Sequence, residues 1–247
     1  MNKKRYELLD TIRGMVLISM IVYHASWNFV YIYGVQWPWY HSQGAYIWQQ
    51  SICWIFILLS GFCFSLGKNP WKNGLIVIGS GFLVSLVTIL VMPSNRVVFG
   101  VLTCIGSCIL LLAGIKKWLD KVPCMAGMVV SFLMFIITKQ INSGYLLFPL
   151  NYRLELPENW YHSYVSTYLG FPFRRFYSTD YFSILPWFFL FLTGYYLYRI
   201  FEKYKLLKLS VFHCGVPFFS YLGRHSLIVY LLHQPVIYGL QEYFFRF

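Results

Sequence analysis

Long apolar runs separated by short polar segments dominate the chain. A helix needs about 20 apolar residues to cross the hydrocarbon core of a bilayer. Seven runs approach that length, at 12–33, 47–66, 74–92, 98–115, 124–139, 183–201 and 221–243. Each is predicted to be a helix, because open strand edges in lipid would leave backbone groups unpaired. The pattern therefore predicts an all-α, polytopic membrane protein of about seven transmembrane helices, forming one domain over residues 1–247.

Lys and Arg residues concentrate in every second connection. They precede the first run and lie between runs two and three, four and five, and six and seven: Lys3, Lys4, Arg5, Lys68, Lys72, Lys116, Lys117, Lys121, Arg199, Lys203, Lys205 and Lys208. The segment 34–46 contains neither Lys nor Arg. Because basic residues are retained in cytoplasmic loops, we expect a cytoplasmic amino terminus and, with seven spans, a carboxy terminus on the outer side.

The connection between the fifth and sixth runs, residues 140–182, is far longer than the others. Connections longer than about 15 residues without elements of their own are uncommon and are usually functional or disordered. This one is rich in tyrosine, which argues against disorder. We predict a folded cover over an outward-facing cavity, with a floppy linker as the alternative.

Composition agrees with a membrane protein, since 58% of residues are hydrophobic, 11% are charged and the mean hydropathy is +0.57. The net charge of +12 follows from basic residues between the apolar runs, so topology explains it and no nucleic-acid partner is expected. The lipid bilayer is the expected surroundings. Six cysteines are present without a CxxC pattern, so neither a disulfide framework nor a metal site is expected.

The first run contains ionisable residues, which are costly in a membrane and mark functional sites by default. His24 follows Arg13 by eleven residues, which is three helical turns plus about 20°, so both side chains project from one stripe about 16 Å apart. A cation and a base at the two ends of a stripe suit an elongated, anionic, group-donating ligand. The alternatives are that Arg13 is a snorkelling anchor paired with Asp10 and that His24 only locks helices together.

Two further residues are candidates for the chemistry. Asn28 lies one turn beyond His24, where it is placed to orient the imidazole or to bind an oxyanion; a helix-packing amide is the alternative. Asp180 precedes the sixth run on the predicted outer side. It is a candidate partner for His24 or for an amino group of an acceptor, and a helix N-cap is the alternative. The predicted catalytic set is therefore His24, Asn28 and Asp180.

Two polar residues inside apolar runs are candidate contacts for a cofactor, together with Arg13. They are Ser60 in the second run and His233 in the last. His233 stands two residues before Pro235, which frees a backbone carbonyl in a helix, so the alternative is that His233 only satisfies a kink.

Several stretches resemble the transmembrane acyltransferases, and more narrowly the heparan-α-glucosaminide N-acetyltransferases and their bacterial homologues. The similar stretches follow one another in the expected order along most of the chain: Leu9-Asp10-Thr11-Ile12-Arg13-Gly14, His24-Ala25-Ser26-Trp27-Asn28, Ser178-Thr179-Asp180-Tyr181-Phe182-Ser183-Ile184-Leu185-Pro186-Trp187, Gly223-Arg224-His225-Ser226-Leu227 and His233-Gln234-Pro235. Each is weak alone, and together they are specific.

The resemblance implies that acetyl-coenzyme A is the donor, that His24 is catalytic, and that the acceptor is a sugar or glycan on the far side of the membrane. It also leads us to expect a multi-pass protein of a bacterial plasma membrane, with a homodimer as one expected assembly. The lysosomal enzyme of this family has more spans and a luminal domain, so the acceptor is not carried over and an amino sugar of heparan is not expected.

Two other classes of function remain open from the residues. A transporter or flippase of a lipid-linked or sugar substrate would use His24, Asp180 and His233 as binding or proton-relay groups, although the internal repeat that transporters often show is not visible. A structural membrane subunit would use the same polar groups only to pack helices.

Overall fold

The computed structural model describes residues 5–149 and 152–245 of the chain. Lys3 and Lys4, on which part of the predicted orientation rests, lie outside the described residues. The α-helices within the described ranges are α1 (Glu7–Tyr31), α2 (Gln43–Cys63), α3 (Pro70–Val91), α4 (Val101–Leu119), α5 (Cys124–Thr138), α6 (Tyr164–Leu169), α7 (Ile184–Lys203), α8 (Pro217–Arg224) and α9 (Ser226–Phe245). Within these described ranges the fold is all-α apart from one small hairpin.

Six helices of the described chain are long and apolar enough to cross a membrane, namely α1 to α5 and α7. They correspond to the first six predicted runs, so the prediction of a polytopic helical protein agrees with the structure. The largest difference in boundaries is in α1, which begins at Glu7 rather than at residue 12. Hydropathy marks the apolar stretch of a helix, whereas the helix itself continues through charged residues toward the aqueous side.

The seventh predicted run is not one helix. It divides at His225 into the short α8 and the 20-residue α9. Helix α9 is not among the six candidate spans of the described residues, because its sequence contains several strongly polar side chains, at His233, Gln234, Gln241 and Glu242. The count of seven spans stays a prediction.

The fold divides into two compact units, one formed by Met1–Phe56 with Lys205–Phe247 and the other by Ile57–Tyr204. The boundary falls within α2. In the first unit α1 packs against α8 and α9, and its apolar core consists of buried side chains from α1 and α2, at Val16, Leu17, Met20 and Ile52. The assignment of the whole chain to one domain stays a prediction.

Two glycines let α1 and α8 approach each other closely in the first unit. A Cβ atom added at Gly14 would overlap the backbone carbonyl of Phe219, and one added at Gly223 would overlap the carbonyl of Asp10. Beside this crossing, the hydroxyl groups of Thr11 and Ser220 share a hydrogen bond of 2.8 Å. Small residues at such crossings allow the backbone contact that stabilises helix pairs where no hydrophobic effect assists them.

In the second unit α3 packs on α4 and α5 packs on α7. The carboxyl end of α4 is closed by Arg199 of α7, whose guanidinium donates hydrogen bonds to the carbonyl oxygens of Leu119, Asp120 and Val122. A cation at a helix carboxyl terminus also interacts favourably with the helix dipole. Arg199 therefore fixes the position of α7 on α4.

The described part of the segment 140–182 is folded. Strand β1 (Tyr145–Leu147) pairs with β2 (Arg153–Glu155) in an antiparallel hairpin, and α6 follows. The Asn142 side chain donates hydrogen bonds to Gly170, Tyr181 and Ser183, which ties the beginning of the segment to its end. A floppy linker does not fit these contacts, whereas the role of this segment as a cover on the outer side stays a prediction.

Candidate active site

His24 of α1 and His233 of α9 face each other in the first unit. Their ring centroids lie 4.9 Å apart, with the ring planes inclined at 55°. His24 is partly exposed, whereas His233 is buried, with 8% of its surface exposed. Of the two residues His24 is the less buried, so it is the one of the pair that we consider for contact with a substrate.

The hydrogen bonding of His233 determines which of its ring nitrogens is free. Nδ1 contacts the backbone carbonyl of Tyr230, and because a carbonyl only accepts, Nδ1 carries the hydrogen and Nε2 is left as an acceptor. Nε2 is buried and has no hydrogen-bond partner among the described residues. The carbonyl that Pro235 deprives of its helical donor is that of Leu231, so His233 does not serve the proline as the predicted alternative supposed.

Asn28 connects α1 to α9. Its Nδ2 donates to Oε1 of Gln241 at 2.8 Å and to Oε1 of Gln234 at 3.4 Å. Gln241 in turn donates from Nε2 to the carbonyl of Ala25 at 3.0 Å, which fixes its Oε1 toward Asn28 and hence the orientation of the Asn28 amide. These contacts fit the helix-packing alternative.

The same orientation limits what Asn28 can do for the reaction. Its Nδ2 is occupied, and its Oδ1 is buried without a hydrogen-bond partner among the described residues. Its side-chain bonds reach α9, and within the described chain none reaches the imidazole of His24. Because an oxyanion needs a donor, the predicted oxyanion role does not match this amide, whose free atom is an acceptor. A catalytic role for Asn28 stays a prediction.

Arg13 belongs to a cluster of charges near the amino-terminal end of α1. Its guanidinium lies 3.5 Å from Asp10, which confirms the predicted pair, and Arg224 of α8 lies 3.7 Å from the same carboxylate. Arg5 also pairs with Asp10, and Arg224 with Glu7. Three guanidinium groups thus share two carboxylates, which leaves a local excess of positive charge. Both the anchor role and a phosphate-binding role for Arg13 are compatible with this cluster.

Asp180 and Ser60 belong to the second unit. The Asp180 carboxylate accepts a hydrogen bond of 3.4 Å from the backbone N–H of Val101, at the start of α4, beside a second bond of 2.9 Å from Val98 N–H to Ser178. The helix-capping alternative therefore applies to α4, although the sequence placed Asp180 before the sixth run. Ser60 is partly buried in α2, next to Gly61. The catalytic role of Asp180 and the contact of Ser60 with acetyl-coenzyme A stay predictions.

Replacing Asp180 by asparagine is expected to change how stability depends on pH. Burial raises the pKa of Asp180 to about 6, so the folded state resists ionisation of this group. Its contribution to stability is fully present below about pH 4, the usual pKa of aspartate, and is lost as the pH rises through about 6. Thermal unfolding should therefore show Asp180→Asn more stable than the wild type at pH 8 and equal to it near pH 4.

A matched comparison is available at Asp120. Burial opposes ionisation there too, but hydrogen bonds from Lys116 and Tyr195 outweigh it and hold the pKa of Asp120 below its usual value. Asp120→Asn should therefore lower the unfolding temperature at pH 8, the opposite sign. If Asp180→Asn changed the unfolding temperature equally at pH 4 and pH 8, burial would not explain the effect.

Comparison with known proteins gives one match. The family model described as heparan-alpha-glucosaminide N-acetyltransferase, catalytic, matches residues 5–235. The chain belongs to this family. No curated protein and no solved structure matches it. The matched range contains every candidate residue, from Arg13 to His233, and it confirms the resemblance that the motifs indicated.

Sequence reasoning missed two residues that matter for the site of this N-acetyltransferase family member. Gln241 fixes the Asn28 amide, and Arg224 completes the charge cluster around Asp10. A signal for Gln241 existed, since it follows Gln234 by seven residues, which places both on one face of a helix within apolar sequence. Arg224 lies within one of the family-like stretches, but spacing alone does not reveal its contacts with Glu7 and Asp10, more than 200 residues earlier in the sequence.

Proposed function

We propose that the chain is a membrane-bound acyltransferase that moves an acetyl group from acetyl-coenzyme A to an amino or hydroxyl group of a sugar or glycan acceptor. The observation that carries the proposal is the pairing of the imidazoles of His24 and His233, within the region matched by an N-acetyltransferase catalytic family. Histidine is the side chain best suited to exchange a proton with a hydroxyl or amine near neutral pH.

The transfer breaks the thioester C–S bond and forms a C–N or C–O bond to the acceptor. In the direct route His24 takes the proton of the acceptor group as it attacks the thioester carbonyl, and coenzyme A leaves as the thiol with that proton. In the stepwise route an imidazole nitrogen of His24 attacks the thioester carbonyl and receives the acetyl group, while coenzyme A leaves as the thiol with the imidazole proton. The acceptor group then takes the acetyl group and returns its own proton to the imidazole. If acetyl-coenzyme A, without any sugar present, leaves an acetyl group on His24, the direct route is excluded.

Donor binding is assigned to the charge cluster at the start of α1. Arg13 and Arg224 supply cations near Asp10, and His24 follows Arg13 by about 16 Å along the helix. The phosphates of coenzyme A carry several negative charges, which guanidinium groups bind well. We place the phosphates at this cluster, the pantetheine arm along α1 and the thioester beside His24.

Arg13→Gln is therefore expected to raise the KM for acetyl-coenzyme A about tenfold, because one charge-assisted contact to phosphate is removed. The KM for the sugar should change little. Steady-state kinetics with the purified protein measure both values. Arg96→Gln, which removes an arginine of the second unit that lies over the Tyr177 ring, is the matched control. Equal effects of the two variants on the donor KM would contradict the assignment.

We further propose seven membrane spans, with α9 as the last, a cytoplasmic amino terminus, and a location in a bacterial plasma membrane. The basic residues in alternate connections support this topology. A cysteine-accessibility test on intact cells would check it: a cysteine placed at residue 36 should react with a membrane-impermeant maleimide, and one placed at residue 69 should not. The reverse pattern would contradict the orientation.

The transporter alternative calls for a comparison of two activities in one preparation. Purified protein is reconstituted in vesicles with labelled acetyl-coenzyme A and a panel of sugars that includes glucosamine and glucose. The proposal predicts labelled acetyl-sugar and free coenzyme A in equal amounts. Sugar movement across the vesicle membrane without any release of coenzyme A would instead establish a transporter and overturn the enzyme.

A further inference from the structure

Two buried hydrogen-bond acceptors beside His24 have no donor among the described residues. They are Nε2 of His233 and Oδ1 of Asn28. Both residues are more than nine-tenths buried, with 8% and 1% of their surfaces exposed. A buried acceptor left without a donor is costly, because it has given up its bonds to water and gained none in return, so these two atoms need an explanation.

The identity of both atoms as acceptors follows from the surrounding bonds. The Tyr230 carbonyl holds the hydrogen of His233 on Nδ1. Gln241, itself oriented by the Ala25 carbonyl, holds the amide hydrogens of Asn28. With its imidazole neutral, His233 cannot offer a hydrogen at Nε2 without giving up the bond from Nδ1, and Asn28 cannot offer one at Oδ1 without turning its amide away from Gln241. The region around His24 therefore calls for a ligand that donates hydrogen bonds.

The two substrates of the proposed reaction differ in this respect. The carbonyl of a thioester only accepts hydrogen bonds, and the pantetheine arm offers a single amide N–H close to its sulfur. A sugar offers several O–H groups, and an amino sugar offers N–H groups as well. Two hydrogen-bond acceptors next to His24 therefore match the sugar better than they match acetyl-coenzyme A.

We propose that His233 and Asn28 form the subsite for the acceptor sugar, in which each accepts a hydrogen bond from an O–H or N–H group that does not react. The reacting O–H or N–H group then lies at His24, which takes its proton. This inference rests on the proposed acyltransferase function, and it assigns His233 to the acceptor although the sequence placed it with the cofactor.

The subsite selects sugars by the hydrogen-bond donors that they carry. A sugar that keeps at least two O–H or N–H groups beside the reacting one can satisfy both buried acceptors. Replacing such a hydroxyl by hydrogen leaves a buried acceptor without a partner, which enzymes built around hydrogen bonds discriminate strongly against. Deoxy sugars should therefore be poor acceptors, and simple alcohols poorer still.

The test measures two KM values for each variant, one for acetyl-coenzyme A and one for the sugar, with labelled acetyl transfer to glucosamine, or to glucose where the wild type uses it better. His233→Phe keeps a ring of similar shape without the acceptor, and Asn28→Leu keeps the volume. Each is expected to raise the KM for the sugar at least about tenfold, with the KM for acetyl-coenzyme A within about twofold of the wild type. His233→Gln, which retains an acceptor oxygen, should lie between the wild type and His233→Phe, and it keeps the test decisive if His233→Phe does not fold.

A matched variant separates the subsite from helix packing. Ser220→Ala is compared with Asn28→Leu: it breaks a hydrogen bond between α1 and α8 in the same unit but leaves both free acceptors, and Gln241 that orients Asn28, in place. An equal rise in the sugar KM for both variants would overturn the subsite in favour of packing. If His233→Phe raised only the KM for acetyl-coenzyme A, the sugar subsite would be overturned, and His233 would instead contact acetyl-coenzyme A. Failure of the wild-type protein to acetylate either sugar would instead remove the proposed function itself, a result distinct from both.

Discussion

Replacing His24 by alanine is expected to lower the rate of acetyl transfer at least about 100-fold, because a positioned base contributes about 10² to 10⁴ to such reactions. The ring of His24 makes ring contacts with Tyr23 and His233, and no hydrogen bond to it is formed by the described residues. Its removal should therefore leave the fold intact, so that the unfolding temperature stays near that of the wild type. Transfer of labelled acetate to the sugar, measured beside thermal unfolding, checks both expectations.

The matched control for His24→Ala is His225→Ala. His225 belongs to the same unit and is exposed, and its imidazole makes a hydrogen bond and a ring contact with Tyr221, so removal of this side chain should leave the rate within about twofold. If His24→Ala retained more than about a tenth of the wild-type rate, the role of His24 in the transfer would be contradicted. An equal loss in both variants would point to a general disturbance of the first unit.

Replacing Gly223 by alanine is expected to lower the stability of the protein markedly. The added Cβ would overlap the carbonyl oxygen of Asp10, which belongs to the backbone of α1 and cannot rotate away. Helices α1 and α8 would have to separate, and overpacking of this kind costs about 1–3 kcal/mol. For a protein of this size the unfolding temperature should fall by about 5 °C.

The control for Gly223→Ala is the same substitution at Gly239 of α9, where an added Cβ meets nothing within 4 Å. Alanine favours the helix more than glycine does, so Gly239→Ala should be neutral or slightly stabilising. Thermal unfolding of the two variants in one detergent compares them directly. A fall of similar size in both would show that helix propensity, not the crossing of α1 and α8, governs the effect. Gly223→Ala should also lose activity, because moving Asp10 disturbs the charge cluster that includes Arg13.

Much of the fold could be predicted from hydropathy alone. Six apolar runs became helices within a few residues of their predicted bounds, because in a membrane the backbone has few alternatives to a helix. The last run was the exception. Its break at His225 depends on the packing of α8 against α1, which no local pattern reveals. The polar face of α9 was visible in the sequence, but its partner Asn28 was not.

Part of the candidate site could also be predicted from the cost of placing polar groups in apolar helices. His24 and His233 stood out because ionisable groups are expensive in apolar helices, and the structure brings these two together. The role of Asn28 depends on which way its amide points, which Gln241 decides from a position 213 residues away. The hydrogen bond from Val101 to Asp180 spans 79 residues. Such contacts arise from tertiary packing and carry no signal in local spacing.

The most direct test of the central claim is to ask which side chain lies beside the thioester of the bound donor. Chloroacetyl-coenzyme A carries a chloromethyl carbon that alkylates a neighbouring imidazole nitrogen, with release of chloride. Purified wild-type protein is treated with this reagent, digested and analysed by mass spectrometry, with unlabelled acetyl-coenzyme A as competitor. We predict that His24 is alkylated and that the competitor protects it. Modification that leaves His24 untouched and falls only on exposed groups such as Cys214, with no protection by acetyl-coenzyme A, would contradict the placement of acetyl transfer at His24.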